Sequence, residues 1–261
     1  MRLQFVSDLH LELRPKETYE TLLEPAVAPA LALLGDIATP DHPNLRAFLE
    51  WCSERWETVL YVPGVTELFP EWVSEGGVAR PEEVPKAVAR LREVCKPYPN
   101  VHVLHREAFF TDDGLLVLGC TFWGCLAEQP REFRELHRAD LDWVKSMIRR
   151  YTNPMVILSH YGPVAWVQDE EVLYEPADVP TVPEIELLLR KPIVAWAFGH
   201  HHGLVQSYKL WNTPGGATRE ITLVCNGLGK AVGGRRRFNL DYRRDAVLRV
   251  DPRIYYEDKA L

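Results

Sequence analysis

The runs "LQFVSD", "ALALLGD", "TVLYVPG", "NVHVLH", "GLLVLGC", "PMVILSH", "IVAWAFGH" and "ITLVCNG" constrain the fold of this chain most. Each is short, almost continuously apolar and closed by a turn residue or a polar one. Such a run offers no polar side to water, so it suits a strand buried on both faces. "DAVLRVD" near the C-terminus reads as one more strand. Between the runs the apolar period becomes helical. Leu45, Phe48, Leu49, Cys52 and Trp56 share one stripe, and Val84, Ala87, Val88, Leu91 and Cys95 share another. Leu136, Trp143, Val144, Met147, Ile148 and Tyr151 form a third. "VPEIELLLRKP" reads as a short fourth helix, with Pro183 in its first turn and Pro192 past its end. Strands alternating with helices predict an α/β layered fold. The 261 residues suit a single domain, 1–261, with no repeat or low-complexity tract. The Pro- and acid-rich stretches 70–85 and 168–183 read as loops over one face.

A net charge of -7 argues against non-specific binding to nucleic acid or an anionic membrane, which needs a basic surface. The local exceptions, "GGRRRF" (Arg235, Arg236, Arg237) and Arg243–Arg244, read as solvated surface. Cys52, Cys95, Cys120, Cys125 and Cys225 form no CxxC pair and mostly lie in apolar stretches. They read as reduced, buried thiols of a cytoplasmic protein. The opening "MRLQFVSDLH" lacks the pattern of a secretory signal. The most apolar run, "AVAPALALLGD", is bounded by Pro29 and Asp36 well short of a membrane span.

The polar residues that close the strands carry the chemistry. "FVSDLH" ends in Asp8 and His10, "ALLGD" in Asp36, "VILSH" in His160, and "WAFGHHHG" in His200, His201 and His202. In an open α/β sheet the crevice beyond the strand C-termini is where sites form. Carboxylates and imidazoles gathered there suit divalent transition metals. In an extended Asp-x-His, side chains i and i+2 share a face, so Asp8 and His10 should point together. The same rule pairs His200 with His202 and turns His201 away. His42, His102, His105 and His137 lack this context and read as surface or satisfied polar residues.

The order Asp-x-His, Gly-Asp, Gly-x-x-Glu, strand-end His and Gly-His-x-His resembles the calcineurin-like metallophosphoesterases. The softer features "LLGDI", "YVPG", "LGCTFWG", "LSHYGP" and "VCNGLG" resemble a bacterial-type branch of them. The resemblance covers most of the chain. It implies an αββα sandwich holding two divalent ions, with a spacing of about 3.5–4 Å as in other two-metal hydrolases. Carried over, Asp8, His10, Asp36 and His202 would hold one ion, and Asp36, His160 and His200 the other. Asp36 would bridge them, and a bridging water or hydroxide would attack phosphorus. Mn2+ is the first expectation, with Fe, Zn or Ni as alternatives. The implied substrate is a phosphate ester or phosphorylated small molecule, with no membrane partner, and the acidic balance disfavours nucleic acid.

One stretch departs from that pattern. Where the family has Gly-Asn-His-Glu, this chain has Gly64-Val65-Thr66-Glu67. The family's Asn ligates the second ion, and Val65 has no donor atom. The family's His contacts phosphate and is assigned as acid to the leaving group; Thr66 can donate a hydrogen bond but cannot act as an acid near neutral pH. Losing a positioned general acid costs about 10²–10⁴ in rate. The expectation is one firm ion site, a weaker second one, and a phosphoesterase of reduced activity. Conceivable substitutes are Glu67 as a ligand, His201 or Tyr161 as proton donor, and water in place of the missing amide. The alternative is a metal-binding pseudoenzyme that recognises a phosphorylated ligand or a protein partner.

Overall fold

Strand alternation sorts the apolar runs onto two faces. In the computed structural model, which describes residues 1–14, 19–70, 80–123, 131–163, 192–200, 204–205, 208–210, 219–229, 231–232, 235–236 and 241–252, these runs become β1 (Arg2–Val6), β2 (Ala30–Leu34), β3 (Thr58–Val62) and β4 (Val101–Val103). They are followed by β5 (Glu107–Phe110), β6 (Leu116–Cys120), β7 (Met155–Ser159) and β8 (Ile193–Phe198). Then come β9 (Leu204–Val205), β10 (Tyr208–Leu210), β11 (Arg219–Asn226), β12 (Ala231–Val232), β13 (Arg235–Arg236) and β14 (Val247–Arg249). β1 to β4 run parallel, and β14 pairs antiparallel on the edge beside β1. That five-stranded sheet has the order β14-β1-β2-β3-β4. The second, seven-stranded sheet has the order β10-β11-β8-β7-β6-β5, with β9 also on β11. Its centre, β6, β7, β8 and β11, is parallel, while β5 and β10 close its edges antiparallel.

The inward residues of both sheets meet in one core. Leu3, Phe5, Ala32, Leu34, Leu60 and Val62 face Val117, Val156, Leu158, Ala195, Ala197 and Val224. The outward residues are equally apolar, which is why the runs read as continuous. Leu31, Leu33, Val59 and Tyr61 pack under the helices Pro43–Ser53 and Val84–Cys95. Leu118, Ile157, Trp196 and Phe198 pack under the helix Arg131–Arg150, through Leu141 and Val144. The protein is a two-sheet α/β sandwich with helices outside.

The helical stripes fall on these elements except at two ends, and Tyr151 lies one residue past the helix Arg131–Arg150. The first helix stops at Ser53, and Trp56 lies beyond it, donating its Nε1–H to Gln4 Oε1 at 3.0 Å. The fourth stripe over 182–191, the loop 168–183, Arg237 and Cys125 lie outside the described residues. So does 71–79 of the loop expected over 70–85; of the rest, Pro81–Glu83 forms a 3-10 turn, and Val84 and Pro85 already belong to the helix Val84–Cys95 rather than to a loop. Cys52, Cys95, Cys120 and Cys225 are buried and form no disulfide among the described residues. No helix among the described residues is long and apolar enough to cross a membrane.

Candidate metal centre

Parallel strands put their C-terminal ends on one edge of each sheet, and here the two edges meet. Ser7, one residue past β1, bridges to Gly227, one residue past β11. From that point the loops bond to one another rather than continuing the ladder. Asp8 N–H donates to Gly35 O and His10 N–H to Asp36 O, each at 3.0 Å. The chain turns left-handed at Asp8 (φ 56), His10 (φ 45), Asp36 (φ 54) and His200 (φ 62). The expectation that Asp8 and His10 converge through strand alternation is therefore corrected. They converge because both stand in a turn that the neighbouring loop holds by hydrogen bonds. Non-glycine residues are uncommon there, though Asp and His are enriched among those that occur. Such strain persists only where the surroundings over-determine it, and it gathers at functional sites.

The loops approach too closely for side chains. A Cβ on Gly35 (φ 84) would lie 2.5 Å from His160 Nδ1 and 2.7 Å from Gly64 Cα. One on Gly64 would lie 2.5 Å from Asp36 Oδ1 and 2.9 Å from His160 Cε1. These two glycines let the ends of β2, β3 and β7 close on a single point.

Two overlapping donor groups result. Asp8, His10 and Asp36 offer ligand atoms within 4.8 Å of one another, and so do Asp36, His160 and His200. Asp36 belongs to both. Its Oδ2 lies 3.9 Å from His10 Nε2 and 3.6 Å from His160 Nε2, while its Oδ1 accepts the Thr66 N–H at 2.7 Å. Asp8 Oδ2 accepts the His200 N–H at 2.9 Å. His202 and His201 lie outside the described residues. His42, His102, His105 and His137 take part in neither group: His42 caps a helix, and His137 bonds the Trp123 carbonyl through Nδ1.

The two histidines facing Asp36 are oriented from behind by different partners. His10 Nδ1 lies 3.0 Å from Glu12 Oε1, and His160 Nδ1 lies 2.9 Å from the Leu34 carbonyl oxygen. A carbonyl only accepts, so His160 Nδ1 carries the proton and Nε2 presents its lone pair to Asp36. His160 is fully buried, and its Nε2 has no hydrogen-bond partner among the described residues. Two electron-rich atoms facing each other at 3.6 Å in a buried site fit a shared cation. In the metal-free chain a proton answers the same need. Burial pulls both imidazoles down, but the surrounding anions outweigh it and raise them. Glu12, Asp36 and Asp8 act on His10, and Asp36 and Asp8, with the Leu34 carbonyl and Glu67, act on His160.

The Gly64–Glu67 stretch shows what each substitution does. Val65 opens a short helix, Val65–Leu68, and packs among Leu68, Phe69, Val88 and Trp123. It contributes an apolar wall. Thr66 is fully buried, and its Oγ1 has no hydrogen-bond partner among the described residues. Glu67 is not available as a substitute ligand. Its Oε2 accepts from Asp36 N (2.9 Å) and Gly64 N (2.8 Å), and its Oε1 accepts from Ile37 N (2.7 Å), Ala38 N (3.4 Å) and Tyr61 Oη (2.7 Å). Tyr161 stacks on His200 with ring centroids 4.0 Å apart. Burial, then the charges of Asp36 and Asp8, push its phenol above the usual range, so it stays protonated and able to donate. Sequence reasoning missed Glu12, Tyr61 and the holding role of Glu67. Only the position of Glu12, two residues beyond His10, hinted at the first.

No protein-family model matches the chain. It is 22% identical over 243 residues to the uncharacterized protein L509 of Acanthamoeba polyphaga mimivirus, covering 77% of this chain and 84% of that one. Among solved structures it is similar to the phosphopantetheinyl hydrolase PptH from Mycobacterium tuberculosis. The TM-score is 0.55 at 15% identity, over 87% of this chain and 89% of that one. It is also similar to TT1561 of Thermus thermophilus, with TM-score 0.49 at 17% identity, over 87% and 88% of the chains. At such low identity the likeness to the hydrolase concerns the fold alone, a two-sheet α/β sandwich.

Proposed function

We propose that this chain, as one domain over 1–261, is a metal-dependent phosphoesterase altered at Val65 and Thr66. The observation that carries the reading is the pair of donor groups sharing Asp36. Asp8, His10 and Asp36, with His202, would hold one divalent ion, and Asp36, His160 and His200 a second, weaker one. Mn2+ is the first candidate, ahead of Fe, Zn and Ni. Divalent ions there supply a lowered water pKa and neutralise charge on a phosphate ester. The chain's own residues do the rest. Glu12 and the Leu34 carbonyl fix which imidazole nitrogens face Asp36. Thr66 and Tyr161 offer hydroxyls that donate hydrogen bonds but do not protonate a poor leaving group. The substrate class is a phosphorylated small molecule, handled in the cytoplasm. That a solved structure of similar fold is a hydrolase agrees with this reading.

Hydrolysis of bis(p-nitrophenyl) phosphate with added Mn2+ tests it. Turnover that requires the metal and vanishes in Asp36→Asn supports the reading. No metal-dependent turnover, even after Val65→Asn with Thr66→His, sinks the enzyme. The second reading is a metal-holding protein that binds a phosphorylated ligand without cleaving it. It is favoured by Val65, which offers no donor atom and packs into an apolar cluster. Metal-dependent binding of a phosphate ester that survives unhydrolysed would establish it.

A further inference from the structure

A buried carboxylate lies beneath the centre without being one of its ligands. Glu67 is fully buried and accepts five hydrogen bonds, four from backbone N–H groups and one from a tyrosine. Three of those N–H groups belong to consecutive residues, Asp36, Ile37 and Ala38, and the fourth to Gly64. The carboxylate therefore ties the turn after β2 to the turn after β3, at the point where Asp36 is left-handed and a side chain on Gly64 would meet both Asp36 and His160. Tyr61, buried in the core on β3, fixes Oε1 from below through a 2.7 Å hydrogen bond. The opposite end of the same stretch returns to Asp36, since Thr66 N–H holds Oδ1 and leaves Oδ2 facing His10 and His160.

We propose that Glu67, anchored by Tyr61, is a positioning residue that holds Asp36 so that one carboxylate oxygen serves both donor groups. This rests on the metal-centre reading above. Left-handed backbone is uncommon even for Asp, and the contact that holds the Asp36 N–H there is Glu67. The charge of Glu67 matters as much as its shape. A glutamine in its place has one acceptor oxygen for two sets of donors, so its NH2 would face either Asp36 N and Gly64 N or Ile37 N and Ala38 N. Either way the tie between the two turns loses acceptors, Asp36 is held less firmly, and both groups would loosen together although no ligand has been removed. Outer contacts of this kind typically change metal affinity about 10- to 100-fold.

The test compares Glu67→Gln, Tyr61→Phe and Asp140→Asn with the unaltered chain. Asp140 is a control: a buried carboxylate that holds the Phe122 N–H at 2.8 Å and pairs with Arg106, not with Asp36. Mn2+ binding is followed by calorimetry, folding by thermal unfolding, and the closeness of two Mn2+ ions by the exchange-coupled electron paramagnetic resonance signal. Folded Glu67→Gln should lose about 10- to 100-fold in affinity at both groups and lose the coupled signal. Tyr61→Phe should shift both in the same direction by less, and Asp140→Asn should lower the melting temperature without moving either. A folded Glu67→Gln with unchanged affinity and coupling overturns the proposal, as does a loss confined to one group. If Glu67→Gln does not fold, Tyr61→Phe decides by the same criteria. If the unaltered chain binds no Mn2+, the metal reading falls and this proposal with it.

Discussion

The Asp8–His10–Asp36 group and the Asp36–His160–His200 group share one carboxylate and differ in what stands behind the rest. The first adds Asp8 to the shared Asp36 and has a further carboxylate, Glu12, against His10. The second has one carboxylate and two imidazoles; His160 leans on a neutral carbonyl, and Val65 lines the neighbouring wall. A carboxylate behind a histidine raises its basicity as a ligand more than a carbonyl does. Carboxylate-rich groups suit Mn2+, and imidazole-rich ones suit Zn, Fe or Ni. From sequence the inequality rests on Val65 alone. The structure adds a second difference, Glu12 behind His10 against the Leu34 carbonyl behind His160, from which we expect the halves to differ in metal preference as well as in strength.

Asp36→Asn should produce the largest change, because it removes charge from both halves. Asparagine tolerates the left-handed backbone, so the substitution isolates the charge. We expect Mn2+ affinity to fall by more than about 100-fold in both halves, beyond what supporting contacts alone give. Calorimetric stoichiometry checks this; survival of one full-strength site would mean that Asp36 is not shared.

Restoring the missing loop chemistry should come next. Thr66→His should raise turnover of a poor leaving group by about 10²–10⁴ and leave a nitrophenyl ester nearly unchanged. Val65→Asn should strengthen the second half only. It also places an amide among Leu68, Phe69 and Trp123, so it should cost about 1–3 kcal/mol of stability. Steady-state rates on both esters, with thermal unfolding alongside, separate the two effects. Tightening of the first half by Val65→Asn would erase the distinction drawn here.

Glu12→Gln should act on the other side of the comparison, weakening the first half about 10- to 100-fold and sparing the second. Competition between Mn2+ and Zn2+ would show the remaining site shifting toward zinc. Equal loss in both halves would mean that Glu12 acts through the whole loop rather than through His10.

The smallest effect is in pH. His10 and His160 sit above the ordinary 6.5 in the metal-free chain. A raised folded value contributes stability that is fully present below 6.5 and is lost as pH rises through the folded pKa. A divalent ion needs the neutral ring, so it gains on the proton over that same window. Mn2+ should raise the melting temperature more at about pH 8 than at about pH 6, with protons released on binding. Identical shifts would show that both rings are already neutral.

The layered fold was legible because "VLYV" or "MVIL" can only be buried on both sides, and those runs are β3 and β7. β5 was not, because "EAFF" lies on a sheet edge and is partly exposed, so burial never shaped it. Among the described site residues, the types and order of Asp8, His10, Asp36, His160 and His200 were readable from strand ends. Their left-handed backbone was not, because loop-to-loop hydrogen bonds impose it and no periodicity records them. Glu67 shows the same limit: its position reads as a surviving motif residue, but its role comes from five donors spread over 31 residues of sequence separation at most.

The left-handed turns also decide which positions can change without penalty. At Asp8, His10, Asp36 and His200, a residue other than Gly, Asn, Asp or His would add roughly 1–2 kcal/mol of backbone strain to the loss of a donor atom. A β-branched residue would fare worst. Val65 and Thr66 instead begin a right-handed helical turn, where β-branched side chains cost at most about 0.7 kcal/mol. Architecture and chemistry together guard the first set, and only chemistry guards the second. The two residues at which the sequence departs from the pattern it resembles are positions where the backbone would accept almost any occupant.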